Sequence, residues 1–468
     1  MTTAHTMTIA GEAISGAETF EVIDPATGKS FARAPSGSVS DLDRAIDSAE
    51  SAFASWKRDQ TARRQALVAC ADALRDGAEP LSRLLSQEQG KSLKDAQGEV
   101  LAASALFRYY ATVPLEPEVT YSDKHIRVEV HRRPYGVVAA ITPWNYPVLI
   151  ACNKLAPALL AGNTLVLKPS PFTPLSSLAL GSLLRRVLPP GVLNVISGGD
   201  SVGQRISEHD SVRKISFTGS VATGKKVAAS AARDLKRVTL ELGGNDPAIV
   251  LADADPSAIA RSLFWGAFTN SGQVCAAIKR VYVHESLLTP LVDALAALAR
   301  DVKVGPGLEA GSVLGPVNNL PQYQRVCDLH ADAGRRGARF HGQGPRAGAG
   351  YFFEPTLVTD IADDAPIVAE EQFGPLLPIL PFRDVDEVVA RATASHFGLT
   401  ASVWTSDVER GKSLASELEC GTVWVNQHLV LGPFAPFGGH KWSGIGYENG
   451  RWGLDSFCQL QALNVRTG

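Results

Sequence analysis

The spacing of hydrophobic and polar positions changes along the chain. Between residues 40 and 110, apolar residues recur at helical intervals, as in the run from Asp41 to Ala49, and the pattern breaks near Gly77. From Tyr121 to Arg133, apolar and polar residues alternate instead, which is typical of a strand with one polar face. The chain is therefore predicted to begin with packed helices and to continue into an exposed strand.

After Pro134, short runs rich in β-branched residues alternate with helix-compatible segments. The first predicted strands are Val137 to Ile141, Thr164 to Lys168, Val192 to Ile196, Lys214 to Phe217 and Val238 to Leu242. A second series follows Gly244, at Ala248 to Leu251, Arg280 to Val283, Leu376 to Leu380, Ala401 to Trp404 and Thr422 to Val425. This alternation predicts an α/β fold, with a doubly wound parallel sheet followed by a second α/β domain.

The last segment of the chain, Gln459 to Val465, also has the pattern of an exposed strand. An unpaired strand edge readily accepts another strand. We therefore expect this segment to pair with the 121–133 strand or with another subunit.

The composition is that of an ordinary globular protein. A chain of 468 residues exceeds what one compact core usually organises, so two or three domains are expected. Lys and Arg number 45 against 48 Asp and Glu, and the net charge of −3 predicts no surface for nucleic acid. The longest apolar stretch, Val148 to Leu167, is interrupted by Asn153, Lys154, Pro157 and Asn163, so no membrane span is expected.

Cysteine usage bears on the compartment and on metal binding. The six cysteines are Cys70, Cys152, Cys275, Cys327, Cys420 and Cys458. Without any Cys-x-x-Cys pair, they favour neither a zinc site nor a disulfide framework, and free thiols fit a reducing compartment. The first residues lack the basic and apolar regions of a secretory signal. We therefore expect a cytoplasmic protein without a metal.

A glycine turn follows the predicted strand that ends at Phe217. Ligands of open parallel sheets bind at the carboxyl ends of strands, so Gly219 and Ser220 are candidates for holding a pyrophosphate, although such turns also contain glycine for steric reasons alone. The stretch nearly matches a P-loop through Gly219, Gly224 and Lys225. Lys226, however, replaces the Ser or Thr that binds magnesium, so a nucleotide hydrolase is the weaker, second hypothesis.

Cys275 differs from the other cysteines in its setting. A single cysteine is most often a small buried hydrophobic residue, and this is our expectation for the other five. Cys275 instead lies in the polar, glycine-containing turn Gly272-Gln273-Val274-Cys275. A helix N-terminus beside it would lower the pKa of the thiol and make the thiolate available as a nucleophile.

Three polar residues close or follow predicted strands. Glu241 is either a solvated carboxylate or, beside a reactive cysteine, a general base for water. Asn145 is either a turn residue or an amide donor to a developing oxyanion. Lys168, taken alone, is an ordinary surface lysine.

The order and spacing of these motifs resemble the aldehyde dehydrogenase superfamily over nearly the whole chain. The matching segments are Pro143-Trp144-Asn145-Tyr146-Pro147, Leu167-Lys168-Pro169-Ser170, Phe217-Thr218-Gly219-Ser220, Leu240-Glu241-Leu242-Gly243-Gly244, Gly272-Gln273-Val274-Cys275, Glu370-Glu371-Gln372-Phe373-Gly374-Pro375 and Pro436-Phe437-Gly438-Gly439. So many ordered matches are not expected by chance.

The resemblance implies three structural parts. These are a cofactor domain of residues 1–117 and 137–243, a catalytic domain of residues 244–442, and an oligomerisation arm of residues 118–136 and 443–468. Members of the family form dimers or tetramers in which the arm joins a neighbour's sheet. A homodimer or homotetramer is therefore implied for this chain.

The resemblance also implies catalytic roles. Cys275 would attack an aldehyde, and its backbone N–H and the Asn145 side chain would hold the resulting oxyanion. Glu241 would then activate water to hydrolyse the thioester. Relatives that transfer the acyl group to coenzyme A lack this base, so a free carboxylic acid is the expected product. The presence of both Cys275 and Glu241 argues against a non-catalytic relative.

NAD is the expected cofactor. The residues implied to bind it are Trp144, Lys168, Ser170, Gly219, Ser220, Gly243, Glu371 and Phe373. By resemblance, Lys168 would reach the adenosine ribose, Ser220 the pyrophosphate, Glu371 the nicotinamide ribose and Phe373 the nicotinamide end. Many NAD-preferring members carry Glu where this chain has Pro171, so NADP remains an alternative.

The residues expected to line the substrate pocket are mainly apolar or aromatic. They are Tyr146, Phe268, Val274, Ala276, Leu431 and Phe437. No Arg or Lys in these segments is available to pair with a carboxylate, which predicts an uncharged aliphatic or aromatic aldehyde. A carboxylated semialdehyde is the alternative, and His428 is a candidate for contacting a polar tail.

Overall fold

The computed structural model describes residues 5–468. Its first half is built on an eight-stranded sheet, with strands in the spatial order Glu12–Ile14, Met7–Ile9, Leu193–Val195, Thr164–Lys168, Val137–Ile141, Val212–Thr218, Arg237–Glu241 and Gly444–Ile445. The five central strands are parallel, and the outer three are antiparallel to their neighbours. Strand order reverses between Val137–Ile141 and Val212–Thr218, as in doubly wound folds, so the predicted fold class is confirmed.

The helical periodicity of the early chain corresponds to real helices. The helices of this half are Val39–Trp56, Gln60–Asp76, Ala78–Gln89, Leu93–Thr112, Pro147–Ala161, Pro174–Leu184, Asp200–Glu208 and Val221–Ala232. In the first, Leu42, Ala45, Ile46 and Ala49 are fully buried on one face, while a capping box from Ser38 fixes the N-terminus. Gly77 ends the second helix and begins the third, as the broken pattern predicted.

The second half is built on a seven-stranded sheet. In spatial order its strands are Arg339–His341, Thr356–Thr359, Leu376–Phe382, Ile278–His284, Asp246–Val250, Thr400–Trp404 and Thr422–Val425, all parallel except the first. The accompanying helices are Pro256–Phe268, Leu288–Asp301, Leu320–Arg335, Pro366–Ala369, Val385–Thr393 and Val408–Glu417, with 3₁₀ turns at Thr269–Gly272 and Glu285–Leu287. Its core residues are separate from those of the first sheet.

A three-stranded antiparallel sheet projects from these two halves. Cys458–Arg466 pairs with Ile126–Pro134, which pairs in turn with Glu118–Ser122. The short helix Gly450–Ser456 leads into the last strand. The expected pairing between the tail and the 121–133 segment is confirmed within one chain.

Several short strands were not anticipated. In the eight-stranded sheet, the strands Met7–Ile9, Glu12–Ile14 and Gly444–Ile445 have only two or three residues. The same holds for the pair Phe397–Gly398 and His440–Lys441, whereas Glu18–Asp24 and Lys29–Ser36 form a longer hairpin. Such short strands depend on distant partners, and their own residues carry too few positions to establish a period.

Candidate active site

The predicted cofactor residues collect at one edge of the eight-stranded sheet. Trp144 follows the strand Val137–Ile141, and Lys168 ends the next strand, Thr164–Lys168. Across the point where strand order reverses, Gly219 follows Val212–Thr218, and Gly243 follows Arg237–Glu241. These are the carboxyl ends of four neighbouring parallel strands, where open α/β sheets bind ligands.

Lys168 is a buried lysine at the carboxyl ends of these strands. Its side chain is 6% exposed, and its hydrogen bond within the chain is a long one, 3.4 Å from Nζ to the carbonyl oxygen of Pro169. Burial lowers the pKa of Lys168 to about 8, while Asp200 acts in the opposite direction. The ammonium therefore retains donor capacity for a polar ligand. Close by, the Ser170 hydroxyl accepts from the N–H of Phe172.

The glycine turn forms a helix N-terminus. Ser220 is the N-cap of helix Val221–Ala232, and its hydroxyl accepts from the N–H of Thr223 at 3.3 Å. Lys225 lies within that helix, and its ammonium is 3.4 Å from the centre of the Trp442 ring. The lysine of the near P-loop match thus packs on an indole, an arrangement that does not favour a nucleotide hydrolase.

Gly243 and Glu371 bring the two halves of the molecule into contact. Glu371 Oε1 accepts from the N–H of Gly244 at 3.2 Å. A Cβ atom on residue 243 would lie 2.2 Å from Glu371 Oε2, so only glycine leaves space for this carboxylate. The close approach of the Glu371 side chain explains a glycine at this position.

Phe373 follows Glu371 in the chain and packs against Trp144. It has a left-handed backbone conformation, with φ of 50°, which is uncommon outside glycine. Its ring meets that of Trp144 edge to face, with centres 5.2 Å apart. The motifs around Trp144, Gly243, Glu371 and Phe373 are therefore neighbours in space although they are far apart in sequence.

Cys275 lies in a turn between a 3₁₀ turn and the strand Ile278–His284. Three residues before it, Asn270, Ser271 and Gly272, have consecutive φ values of 52°, 55° and 73°. A Cβ atom on residue 272 would lie 2.2 Å from the carbonyl oxygen of Gly374. The Cys275 turn is thus a strained segment held against the segment that carries Phe373.

The environment of Cys275 differs from the sequence expectation. The thiol is partly buried, and burial raises its pKa to about 12. The nearby Lys279 ammonium acts in the opposite direction, and the carboxyl groups of Glu241, Asp246 and Glu371 reinforce the increase. The expected lowering of the thiol pKa is therefore wrong for this conformation, because desolvation exceeds the effect of the single ammonium.

Asn145 is in direct contact with the Cys275 turn. It is 3% exposed, and its Nδ2 donates to the carbonyl oxygen of Gln273 at 2.9 Å. The main-chain carbonyl oxygen of Asn145 accepts from Lys91 Nζ and from Asn270 Nδ2. An amide nitrogen carries two hydrogens, so one of them is available beyond the bond to Gln273.

Glu241 is a buried carboxyl group without a hydrogen-bond partner. It is 3% exposed, and neither Oε1 nor Oε2 has a partner among the described residues. Burial, together with the charge of Glu448, raises the pKa of Glu241 well above its ordinary value, and Lys154 opposes this increase. A buried acceptor of this kind is costly, and such groups occur where function requires them.

A buried ion pair lies behind Glu241. Lys154 Nζ is 2.5 Å from Glu448 Oε1 and also donates to the hydroxyls of Thr218 and Ser216, at 2.8 and 3.1 Å. Lys154 belongs to helix Pro147–Ala161, whose other side chains are mostly apolar. The helix therefore places one buried ammonium near Glu241.

The predicted substrate residues occupy two different kinds of position. Tyr146 is partly buried, Leu431 is 49% exposed and Val274 is 7% exposed. Phe268 and Ala276 have 1% and 0% of their surface exposed, so in this conformation almost none of their surface is accessible to a ligand.

Phe437 and His428, which were also considered for substrate contact, have different neighbours. Phe437 pairs through its backbone with Glu448. His428 lies beside Ala276, with its Nε2 2.8 Å from the Ala276 carbonyl oxygen and its Nδ1 without a partner among the described residues. Burial lowers the pKa of His428 to about 3, so the imidazole is neutral.

The other cysteines pack as ordinary side chains. Cys70, Cys152 and Cys458 are buried, and Cys327 and Cys420 are partly buried. Within residues 5–468, no group of three or more His, Cys, Asp or Glu side chains is arranged to hold a metal ion. In the same range, no helix has both the length and the apolar character needed to cross a membrane.

Sequence reasoning did not assign four charged residues around the site, namely Lys91, Glu99, Lys154 and Lys279. Lys279 donates to the carbonyl oxygen of Val274 and lies 5.4 Å from the centre of the Phe373 ring. One signal was present, because Lys154 interrupts the longest apolar stretch. A charged residue inside a buried helix needs a partner, and that partner, Glu448, is far away in sequence.

Comparison with known proteins identifies the family. The aldehyde dehydrogenase family model matches residues 13–463. The chain is 38% identical to phenylacetaldehyde dehydrogenase of Pseudomonas fluorescens, with 98% of this chain and 96% of that protein covered. It is 37% identical to glutarate-semialdehyde dehydrogenase of Pseudomonas aeruginosa, with 95% and 94% covered.

Solved structures agree with the sequence relatives. The NAD⁺ complex of aldehyde dehydrogenase from Bacillus cereus superposes with a TM-score of 0.95 at 36% identity, covering 99% of this chain and 96% of that one. The resemblance drawn from the ordered motifs is thereby confirmed. The chain belongs to the aldehyde dehydrogenase family of oxidoreductases.

Proposed function

We propose that this protein oxidises an aldehyde to a carboxylic acid with NAD⁺, using Cys275 as a covalent nucleophile. The observation that carries the proposal is the hydrogen bond from Asn145 Nδ2 to the carbonyl oxygen of Gln273, at 2.9 Å. The donor lies at the carboxyl end of the eight-stranded sheet. The acceptor belongs to the turn that carries Cys275, the cysteine that matches the family motif. Glu241, with two unpartnered carboxylate oxygens, completes the set.

The cofactor edge supports binding of a dinucleotide. Lys168 has spare donor capacity, Ser220 caps a helix whose N-terminus suits a pyrophosphate, and the Gly243–Glu371 contact leaves a carboxylate at the junction of the halves. The remaining proposed contacts are Trp144, Ser170, Gly219 and Phe373. When bound, the nicotinamide supplies the acceptor for the hydrogen and electron pair that leave the aldehyde carbon.

The first chemical step belongs to Cys275 and Asn145. The thiol gives its proton to water, and the thiolate sulfur forms a bond to the aldehyde carbon while the carbonyl electron pair moves onto oxygen. The second Asn145 amide hydrogen and the Cys275 backbone N–H stabilise that oxyanion. Because these donors are fixed by the protein, they require little reorganisation as charge develops.

The second step belongs to Glu241. After oxidation the acyl group is a thioester on Cys275, and the Glu241 carboxylate takes a proton from water as the water oxygen bonds to the acyl carbon. The carbon–sulfur bond then breaks, which releases the carboxylic acid and regenerates the thiol. The raised pKa of Glu241 makes it a stronger base once it is deprotonated.

The substrate is proposed to be an uncharged aliphatic or aromatic aldehyde. Leu431 and Tyr146 are accessible or partly accessible, and His428 is neutral because of its low pKa. The phenylacetaldehyde relative supports this choice, whereas the glutarate-semialdehyde relative supports the carboxylated alternative. A carboxylate would need a cation at the pocket, and the predicted pocket residues supply none.

A homo-oligomer is proposed, assembled through the arm of residues 118–136 and 443–468. The support is the exposed apolar surface of its three strands, on which Tyr121, Ile126 and Leu460 are 54%, 46% and 66% exposed. The domain boundary after residue 243 is retained as part of the proposal. The strand Gly444–Ile445 belongs to the eight-stranded sheet, so the segment from residue 443 is only in part an arm. The separate cores on either side of residue 243 support the boundary there.

The proposal is tested with a panel of aldehydes and both NAD⁺ and NADP⁺, following absorbance of the reduced cofactor. We expect the highest kcat/KM for hexanal, benzaldehyde or phenylacetaldehyde with NAD⁺, and no turnover by Cys275→Ala. Glu241→Gln should reduce steady-state turnover about 100-fold or more while leaving an initial burst, because the thioester accumulates. Wild-type turnover by Cys275→Ala would refute the mechanism, and preference for a semialdehyde would refute the substrate class.

A further inference from the structure

A second buried ion pair lies beneath the Asn145 turn. The side chains of Lys91 and Glu99 are fully buried, with Lys91 Nζ 2.5 Å from Glu99 Oε2. Burying two charges costs desolvation energy that their mutual attraction often fails to recover, so such a pair is weak evidence of a stabilising role alone. Its other contacts indicate a different role.

Lys91 holds the backbone of the Asn145 turn. Its Nζ donates to the carbonyl oxygen of Asn145 at 2.9 Å. The same ammonium lies 3.6 Å from the centre of the Tyr146 ring, within the range of a cation–π contact. One side chain thus contacts two successive residues of the turn.

Glu99 holds the other end of that turn. Its Oε1 accepts from the backbone N–H groups of Val148 and Leu149, at 2.9 and 3.1 Å. These groups belong to the first turn of helix Pro147–Ala161, where a carboxylate interacts favourably with the free N–H groups. The ion pair therefore holds the chain at Asn145 and Tyr146 and at the helix turn that follows them.

The Cys275 turn engages Asn145 from the opposite side. Asn270 Nδ2 donates to the same Asn145 carbonyl oxygen at 3.2 Å and to the Gln273 carbonyl oxygen at 3.4 Å. The Gln273 carbonyl is also the acceptor of the Asn145 carboxamide. Asn145, Asn270 and Gln273 thus close a ring of hydrogen bonds around this amide. Lys91 holds that ring at the main-chain carbonyl oxygen of Asn145.

We propose that Lys91, with Glu99 as its counter-ion, is a positioning residue that orients the Asn145 carboxamide toward the reacting carbonyl oxygen. The inference rests on the proposed function, because it requires Asn145 to be an oxyanion donor. Lys91 touches neither substrate nor cofactor in this role. Its effect is transmitted entirely through Asn145.

The test is a double-mutant cycle between Lys91→Met and Asn145→Ala. The readout is the burst of p-nitrophenolate from p-nitrophenyl acetate, in which Cys275 sulfur displaces the phenolate and forms an acetyl thioester without cofactor. We expect Lys91→Met to slow the burst about tenfold to 100-fold when Asn145 is present, since small misplacements of a catalytic group have effects of this size. In the Asn145→Ala background it should change the rate by less than about twofold.

Two further variants control for folding. Lys94→Met removes an exposed lysine only three residues away and should leave the burst unchanged. Glu99→Gln keeps the size of the side chain while removing its charge, and should repeat the non-additive pattern with a smaller effect. If Lys91→Met does not yield folded protein by circular dichroism, the cycle with Glu99→Gln decides.

The outcomes separate this inference from the proposed function. Equal slowing by Lys91→Met with and without Asn145, or no slowing at all, would overturn the positioning role. Failure of every aldehyde to support reduction of NAD⁺ or NADP⁺ by the wild type would instead overturn the proposed function. A wild type that is active in both assays, combined with a non-additive cycle, supports both.

Discussion

At the scale of single residues, the site is defined by how burial changes the chemistry of its groups. Cys275 and Glu241 are both shifted toward their protonated forms, because desolvation penalises the charged thiolate and carboxylate. Lys279 is the nearby cation that opposes the shift at Cys275. In the resting site, Cys275 is therefore mainly a thiol at neutral pH.

The pH dependence of Cys275 alkylation tests this description. The thiolate is the reactive form, so a pKa raised to about 12 predicts that the rate with iodoacetamide rises tenfold per pH unit from about pH 7 to beyond pH 9. Peptide mapping by mass spectrometry separates Cys275 from the other cysteines, and Cys275→Ala confirms the peptide. A plateau below about pH 8 would show that the thiol pKa is instead lowered.

At the scale of elements, the site depends on where strands end and how closely their turns approach. Gly243 leaves the sheet at the end of Arg237–Glu241 and meets Glu371 from the second half. Gly272 meets Gly374 in a similar way on the neighbouring turn. Gly272 lets its backbone approach the Gly374 carbonyl oxygen, whereas Gly243 leaves room for the Glu371 carboxylate. A methyl group at either position would overlap its neighbour.

Gly243→Ala tests that contact. The added Cβ would lie 2.2 Å from Glu371 Oε2 and must displace the carboxylate, so we expect KM for NAD⁺ to rise about tenfold, corresponding to about 1.4 kcal/mol. The ester burst, which needs no cofactor, should change less.

The matched control for this prediction is Gly98→Ala. It lies within helix Leu93–Thr112, and a Cβ there meets nothing within 4 Å. It should leave KM unchanged and stabilise the protein slightly, because alanine favours helices over glycine. An unchanged KM for NAD⁺ in Gly243→Ala would contradict the proposed placement of the cofactor.

At the scale of the whole molecule, two sheets with separate cores meet at the site, and a third sheet extends away from them. The exposed strands of that third sheet leave apolar side chains in solvent. Large exposed apolar patches on soluble proteins commonly mark sites of protein–protein association. The arm is therefore where assembly should be tested.

Leu460→Glu tests assembly through the arm. Leu460 is 66% exposed on the strand Cys458–Arg466, and a carboxylate there would be buried and unpaired in an interface. Light scattering after size exclusion should show a wild-type homodimer or homotetramer, with the dissociation constant raised at least about tenfold in the variant. Leu308→Glu, at a 42% exposed position outside the arm, should leave the mass unchanged. A monomeric wild type would refute the proposal.

Local periodicity and ordered motifs were enough to predict the fold class, the succession of strands and helices along the chain, and the family. Val137–Ile141 and Thr164–Lys168 match their predicted bounds, since each contains a continuous apolar run. The tail strand was also predictable, because alternation is a local property.

The electrostatics and the supporting contacts of the site become visible only in the folded protein. The pKa of Cys275 depends on burial and on Lys279, and neither can be read from the turn around the cysteine. The sequence did not reveal the roles of Lys91, Glu99, Lys154 and Glu448, because their contacts include residues up to hundreds of positions away. Charge and desolvation act through space, whereas a motif records only what lies next to a residue along the chain.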